Sequence, residues 1–153
     1  MRSLHGRNRS VGSSMRIGCV FLLSALLLPS GAHAVDAHAD AAAFAAAARH
    51  HVGERVTLDH CHLVYATDDE ITCIGLLPED AAGNVRLAGK LLIRVAAAEM
   101  QGRTRALALC ADGALDEACE VSVAGEVFDA SPSFGLGEAQ LMGLREATIC
   151  WPD

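Results

Sequence analysis

Apolar and polar residues alternate along much of the chain after residue 54. Val56 and Leu58 share one parity, while Cys61, Leu63 and Tyr65 share the other, so the alternation slips near Asp59-His60. Successive strand side chains point to opposite faces, and a slip of this kind predicts a bulged, strongly coiled first strand. Residues 66–70 read as a turn and 71–77 as a second strand. A looser connection over 78–89 leads to a third strand at 90–95, with Leu91, Ile93 and Val95 inward and Arg94 outward. In the fourth strand, Val121, Val123 and Val127 fall on one face and Glu120, Ser122 and Glu126 on the other. Gly125 takes an inward position there, which predicts a bulge or bend able to turn the corner of a small barrel. A last strand spans 144–151, with Ala147, Ile149 and Trp151 on one face.

Two stretches read as helical. Residues 36–51 hold nine alanines between Ala37 and Ala48, with Asp36 or Asp40 as a cap and Gly53 as a stop. Arg49-His50-His51 suits the negative end of that helix. Phe44 is its one large apolar side chain before Val52, so a loosely docked arm is expected. The second helix is short, at 104–111, because Gly102 interrupts the pattern before it.

The first 34 residues change the picture of the whole. Arg2, Arg7, Arg9 and Arg16 precede an apolar run at 17–28, broken only by Gly18 and Ser24. Pro29-Ser30-Gly31 ends the run, and Ala32-His33-Ala34 is a small-x-small cleavage pattern. These features predict a signal peptide at 1–34, a helical arm at 35–52 and a barrel domain at 53–153. The run is shorter than the roughly 20 residues that a membrane span needs, so no membrane association is expected after cleavage. Beyond Ala34 the chain keeps eight basic residues against all 19 acidic ones, a net charge of −11. Such a chain repels phosphate backbones, so a nucleic acid is not the expected partner.

Five cysteines follow Ala34, which in an exported chain implies disulfides. Asp112-Gly113 favours a turn that brings Cys110 to Cys119. Cys61 and Cys73 flank the 66–70 turn almost symmetrically, and an antiparallel hairpin would bring them together. Cys150 is then the odd thiol, unless it takes Cys61 or Cys73 across the barrel instead.

The order of elements is strand, strand, strand, short helix, strand, strand. With the segments GERVTLDHC, CEVSVAGEVFD and LREATICW, it resembles secreted or periplasmic bacterial OB-fold proteins over about residues 52–151. The second strand, Ile-Thr-Cys-Ile-Gly-Leu-Leu, departs from the aromatic-rich strand of the better-known periplasmic members. The resemblance implies a mainly β fold: a small five-stranded OB-like barrel with an N-terminal alanine-rich helix and one short helix between strands 3 and 4. It also implies a ligand face on the second and third strands, flanked by the loops at 66–70 and 129–140. Asp68, Asp69, Glu70 and Phe134 are the candidate ligand-binding residues on those loops.

The remaining chemistry is sparse. His60 and His62 share one strand face with Cys61 opposite, so the pair could ligate a metal ion with Asp59 or with His50-His51, or simply face solvent. No Gly-x-Ser-x-Gly occurs, and Gly135-Leu136-Gly137 lacks the third glycine and strand context of a nucleotide loop. An inward cysteine is a poor nucleophile. The expectation is a non-catalytic periplasmic or secreted binding module without a cofactor, taking an unknown protein, peptide or cationic ligand. The alternative is a protein-interaction or inhibitor domain acting through the 129–140 loop.

Overall fold

The computed structural model describes residues 37–152; the expected signal peptide at 1–34 lies outside the described residues. The elements in order are β1 (Ala37–Asp40), α1 (Ala41–Ala47), β2 (Arg55–Val64), β3 (Ile71–Leu77), β4 (Arg86–Val95), α2 (Met100–Leu109), β5 (Glu120–Asp129) and β6 (Met142–Cys150). β2 pairs antiparallel with β3, and β3 with β4. β4 runs parallel to β6, β6 antiparallel to β5, and β5 returns to β2. This closes a five-stranded OB-like barrel, with α2 between its third and fourth strands as expected.

Closure depends on bends that the alternation announces. The β2–β5 register shifts between Leu58 and Cys61, where His60 adopts a left-handed φ of 56°. The slip restores the inward phase, so Leu58, Cys61 and Leu63 are all fully buried. Gly125 is the second bend, with the β5–β6 register shifting around it. A β-carbon there would stand 3.0 Å from the Arg145 carbonyl oxygen and 3.0 Å from the Leu144 β-carbon, so the strands close tightly at that corner. Ile71, Leu91, Ile93, Val123, Val127 and Leu144 fill the interior.

The N-terminal segment differs from the expected helix in two ways. Residues 37–40 form a strand, parallel to β2 in the register Ala37↔Val56 to Asp40↔Asp59. β3 pairs only with residues 62–64 of β2, so the edge at 56–59 is open and β1 fills it. That partner lies far along the chain and overrides local helix preference. Asp40 does cap α1, accepting from the Ala42 and Ala43 N–H groups at 2.9 and 3.1 Å. Secondly, α1 is not loosely docked, since Ala41, Ala42 and Phe44 are buried, as is Ala48 just after it. Gly75 and Gly89 have no side chain, which lets α1 approach the β3–β4 ladder closely. The alanines therefore serve close approach as well as helix formation.

Other differences are smaller. β4 begins at Arg86 rather than 90, since Arg86 and Leu87 pair with Leu77 and Leu76 beyond a bulge. These residues are exposed, so they carry no inward–outward pattern to read. α2 begins at Met100, and Gly102 is buried against Ile149 instead of breaking the helix. Tyr65 does not continue the inward series of Cys61 and Leu63, because its left-handed φ of 51° ends the strand and leaves it exposed.

Disulfides join Cys61 to Cys73 and Cys110 to Cys119, with Cα separations of 5.4 and 6.0 Å. Cys150, left over once those two pairs are formed, is disulfide-bonded as well, and not to Cys61 or Cys73. Among the described residues, no helix is long and apolar enough to cross a membrane.

Candidate functional site

The outer face of β3 and β4 carries a groove of about 450 Å3 between the β2–β3 turn and the β5–β6 loop. Its floor comes from Thr72 of β3 and Lys90 and Leu92 of β4, and its rim from Tyr65, Phe134 and Leu136. Each rim residue is held from the backbone upward. The Tyr65 N–H donates to the Asp112 carbonyl at 3.0 Å, and the Ala66 N–H to the Cys110 carbonyl at 3.1 Å. These bonds tie the end of β2 to the segment closed by Cys110–Cys119. The Tyr65 ring lies against Gly113, where a β-carbon would come within 2.7 Å of the ring.

The β5–β6 loop is anchored at its base. The Asp129 carboxylate accepts from the Ser131 and Ala139 N–H groups at 3.0 and 2.8 Å. The buried Ser131 hydroxyl accepts from the N–H groups of Gln140 and Leu141 at 2.9 and 2.8 Å. The Ser131 side chain, then the Ala139 and Ser131 N–H groups, hold the Asp129 carboxyl below its ordinary value. Gly135 supplies the left-handed turn, φ 65°, that presents Phe134 and Leu136 at the tip.

Glu70 and Phe134 line the groove, and Glu70 also lines, with Asp68 and Asp69, an adjoining narrow cleft beside Arg103. Glu70 is paired with Arg94, whose guanidinium stands 2.8 Å from the carboxylate and 4.9 Å from the Phe128 ring centroid. The acidic turn is therefore partly neutralised. Tyr65, Lys90 and Leu136 are groove residues that the chain pattern did not single out. Leu136, an apolar residue between two glycines in a polar loop, was a legible signal; Tyr65 was hidden by its apparent inward parity.

His60 and His62 meet at one residue of β5. His60 Nδ1 is 2.6 Å from one Glu120 carboxylate oxygen, and His62 Nε2 is 3.6 Å from the other. The Glu120 hydrogen bond raises the proton affinity of His60 above its ordinary value. The His62 Nδ1 atom is buried and has no hydrogen-bond partner among the described residues. Asp59 accepts from the Ser122 hydroxyl at 2.6 Å and lies 3.2 Å from His38. Burial alone would raise the Asp59 carboxyl, but the Ser122 and His38 hydrogen bonds hold it below its ordinary value. Beside this cluster is a cleft of about 520 Å3 between the start of α1 and the end of β3, lined by Ala42, Leu76 and Pro78. Among the described residues, no group of three or more His, Cys, Asp or Glu side chains is arranged to hold a metal ion. His50 and His51 lie apart from the cluster; His51 is bonded to Glu54 at 2.8 Å.

No protein-family model, curated protein or solved structure matches this chain.

Proposed function

We propose that this chain is a non-catalytic binding module of an oxidising compartment, periplasmic or secreted, whose β3–β4 groove receives an extended apolar segment of a partner protein or peptide. The observation that carries this reading is the exposure of Tyr65, Phe134 and Leu136, at 60, 48 and 45%, around one groove. Single exposed apolar residues are ordinary, but a cluster rimming a concave site marks an interaction surface. The groove volume lies in the range of about 300–1,000 Å3 typical of ligand sites. Lys90 makes no ion pair among the described residues, and Glu70 already has Arg94, so the groove offers little to attract a cation. An apolar segment is accordingly favoured over the cationic ligand suggested by the acidic turn. The two described disulfides and the order of basic, apolar and cleavage segments in 1–34 support an exported protein.

A second reading has the 129–140 loop inserting into a partner, and the rigid anchoring of that loop by Asp129 and Ser131 favours it. Selecting displayed peptides on immobilised protein separates the two. Extended apolar peptides that lose binding on both Tyr65→Ser and Phe134→Ser support the groove. Loss on Phe134→Ser alone supports the loop, and binding indifferent to both refutes the groove. Both substitutions replace exposed side chains and should change stability by less than about 0.5 kcal/mol.

A further inference from the structure

The groove on the outer face of β3 and β4 has an unbalanced charge. Its charged lining residues are Glu70 and Lys90. Glu70 is already engaged: the Arg94 Nε and Nη2 groups both donate to its Oε1 atom, at 3.1 and 2.8 Å. Lys90 is exposed on the floor, opposite Ile74 in the β3–β4 register, and makes no ion pair among the described residues. This uncompensated positive charge stands in a chain whose net charge beyond Ala34 is −11. Lys90 is also the single lysine among 12 basic residues. Where arginine presents a planar fork, a lysine ammonium is a compact charge on a flexible stem with three donors.

We propose that the groove takes the C-terminal end of its partner segment, with the free α-carboxylate on Lys90 and the last apolar side chain against the rim of Tyr65, Phe134 and Leu136. This rests on the apolar-segment reading of the groove and names the end of the segment that it holds. In an extended chain, successive side chains point to opposite faces. An internal Asp or Glu that reached Lys90 would therefore turn both its neighbours away from the groove. A terminal residue carries its side chain and its carboxylate on one α-carbon. Both can then enter one cavity of about 450 Å3.

The charge of the whole molecule works against this contact, which makes it readable. A net charge of −11 repels an anionic peptide at long range. Tighter binding of a peptide acid than of its amide therefore reports a positive group close to the carboxylate. Lys90 is exposed, so the gain is that of a screened pair rather than a buried one.

Titration calorimetry of the purified protein tests this with acetyl-Phe-Leu-Phe as the free acid and as the amide, at about pH 7, where an α-carboxylate is ionised. The acid should bind about three- to fivefold more tightly than the amide, the size expected of a screened charge pair. In Lys90→Gln the two forms should bind alike, and Lys90→Arg should keep most of the preference. Equal affinities in the wild type, or a preference that survives Lys90→Gln, overturn the carboxylate contact and leave the apolar groove standing. Acetyl-Phe-Glu-Phe-amide binding as tightly as the free acid would put a side-chain carboxylate on Lys90 and overturn the chain end. Binding of neither form overturns the groove reading, and this inference with it.

Discussion

The two halves of the β3–β4 ladder are treated differently by the rest of the molecule. At one end, Gly75 and Gly89 present bare backbone, and α1 lies directly on it. Towards the other end, Thr72 and Lys90 project outward beside Leu92, which is buried against Phe128 and Ala130, and the rim residues Tyr65, Phe134 and Leu136 stand around an open groove. A covered sheet end made of glycine and alanine forms a closed packing surface. An uncovered end with side chains of mixed polarity and an apolar rim forms a receptive one. Burial on this barrel is thus selective, and that selectivity is the physical basis for the proposal that binding occurs at the open half.

The covered half is the easier to break. A β-carbon on Gly75 would fall on the α1 backbone, 2.8 Å from the Ala41 carbonyl carbon, and backbone cannot rotate away. Gly75→Ala should therefore destabilise by about 3 kcal/mol, the upper range for overpacking, as read by urea denaturation. Groove binding should survive in the folded fraction, which separates the two halves.

The next effect concerns the support of the open half. Replacing Cys110 and Cys119 with alanine removes the bridge behind the Tyr65 and Ala66 hydrogen bonds. The chain-entropy cost is about 2.7 kcal/mol, and Tyr65 amide protection should fall with it. Unchanged protection at Tyr65 would show that the rim does not depend on that segment.

How far the fold was legible follows from the same physics. Barrel strands bury one face, so Val121, Val123 and Val127 declare the period, and the Asp59-His60 slip declares a bulge. The β1 strand declared nothing. Its alanines read as helix, and only the open edge of β2, distant in sequence, makes Ala37–Asp40 extended. The start of β4 at Arg86 and Leu87 was hidden for the opposite reason: both residues are exposed, so they show no alternation. The site was half legible. Loop positions located Glu70 and Phe134 at the groove, whereas the Glu70–Arg94 pair and the outward turn of Tyr65 could not be read, because neither is encoded locally.

A smaller effect sharpens the role of the anchored loop. Hydrogen bonds hold the Asp129 carboxyl below its ordinary value of 3.8, so its contribution is present above that value and is lost as pH falls through the depressed one. The Ala139 amide, which donates to Asp129, should lose exchange protection over that acid range before the barrel amides do. Simultaneous loss would mean that the loop is held by the barrel as a whole.

Binding at the uncovered half of β3–β4 is best checked by amide chemical-shift mapping with an apolar tripeptide such as acetyl-Phe-Leu-Phe-amide. Saturable shifts are expected at Tyr65, Thr72, Lys90, Phe134 and Leu136, with α1 and β1 unmoved. Saturable shifts confined to α1 and the cleft beside His60, or none at the groove when the peptide is in large excess, would contradict it.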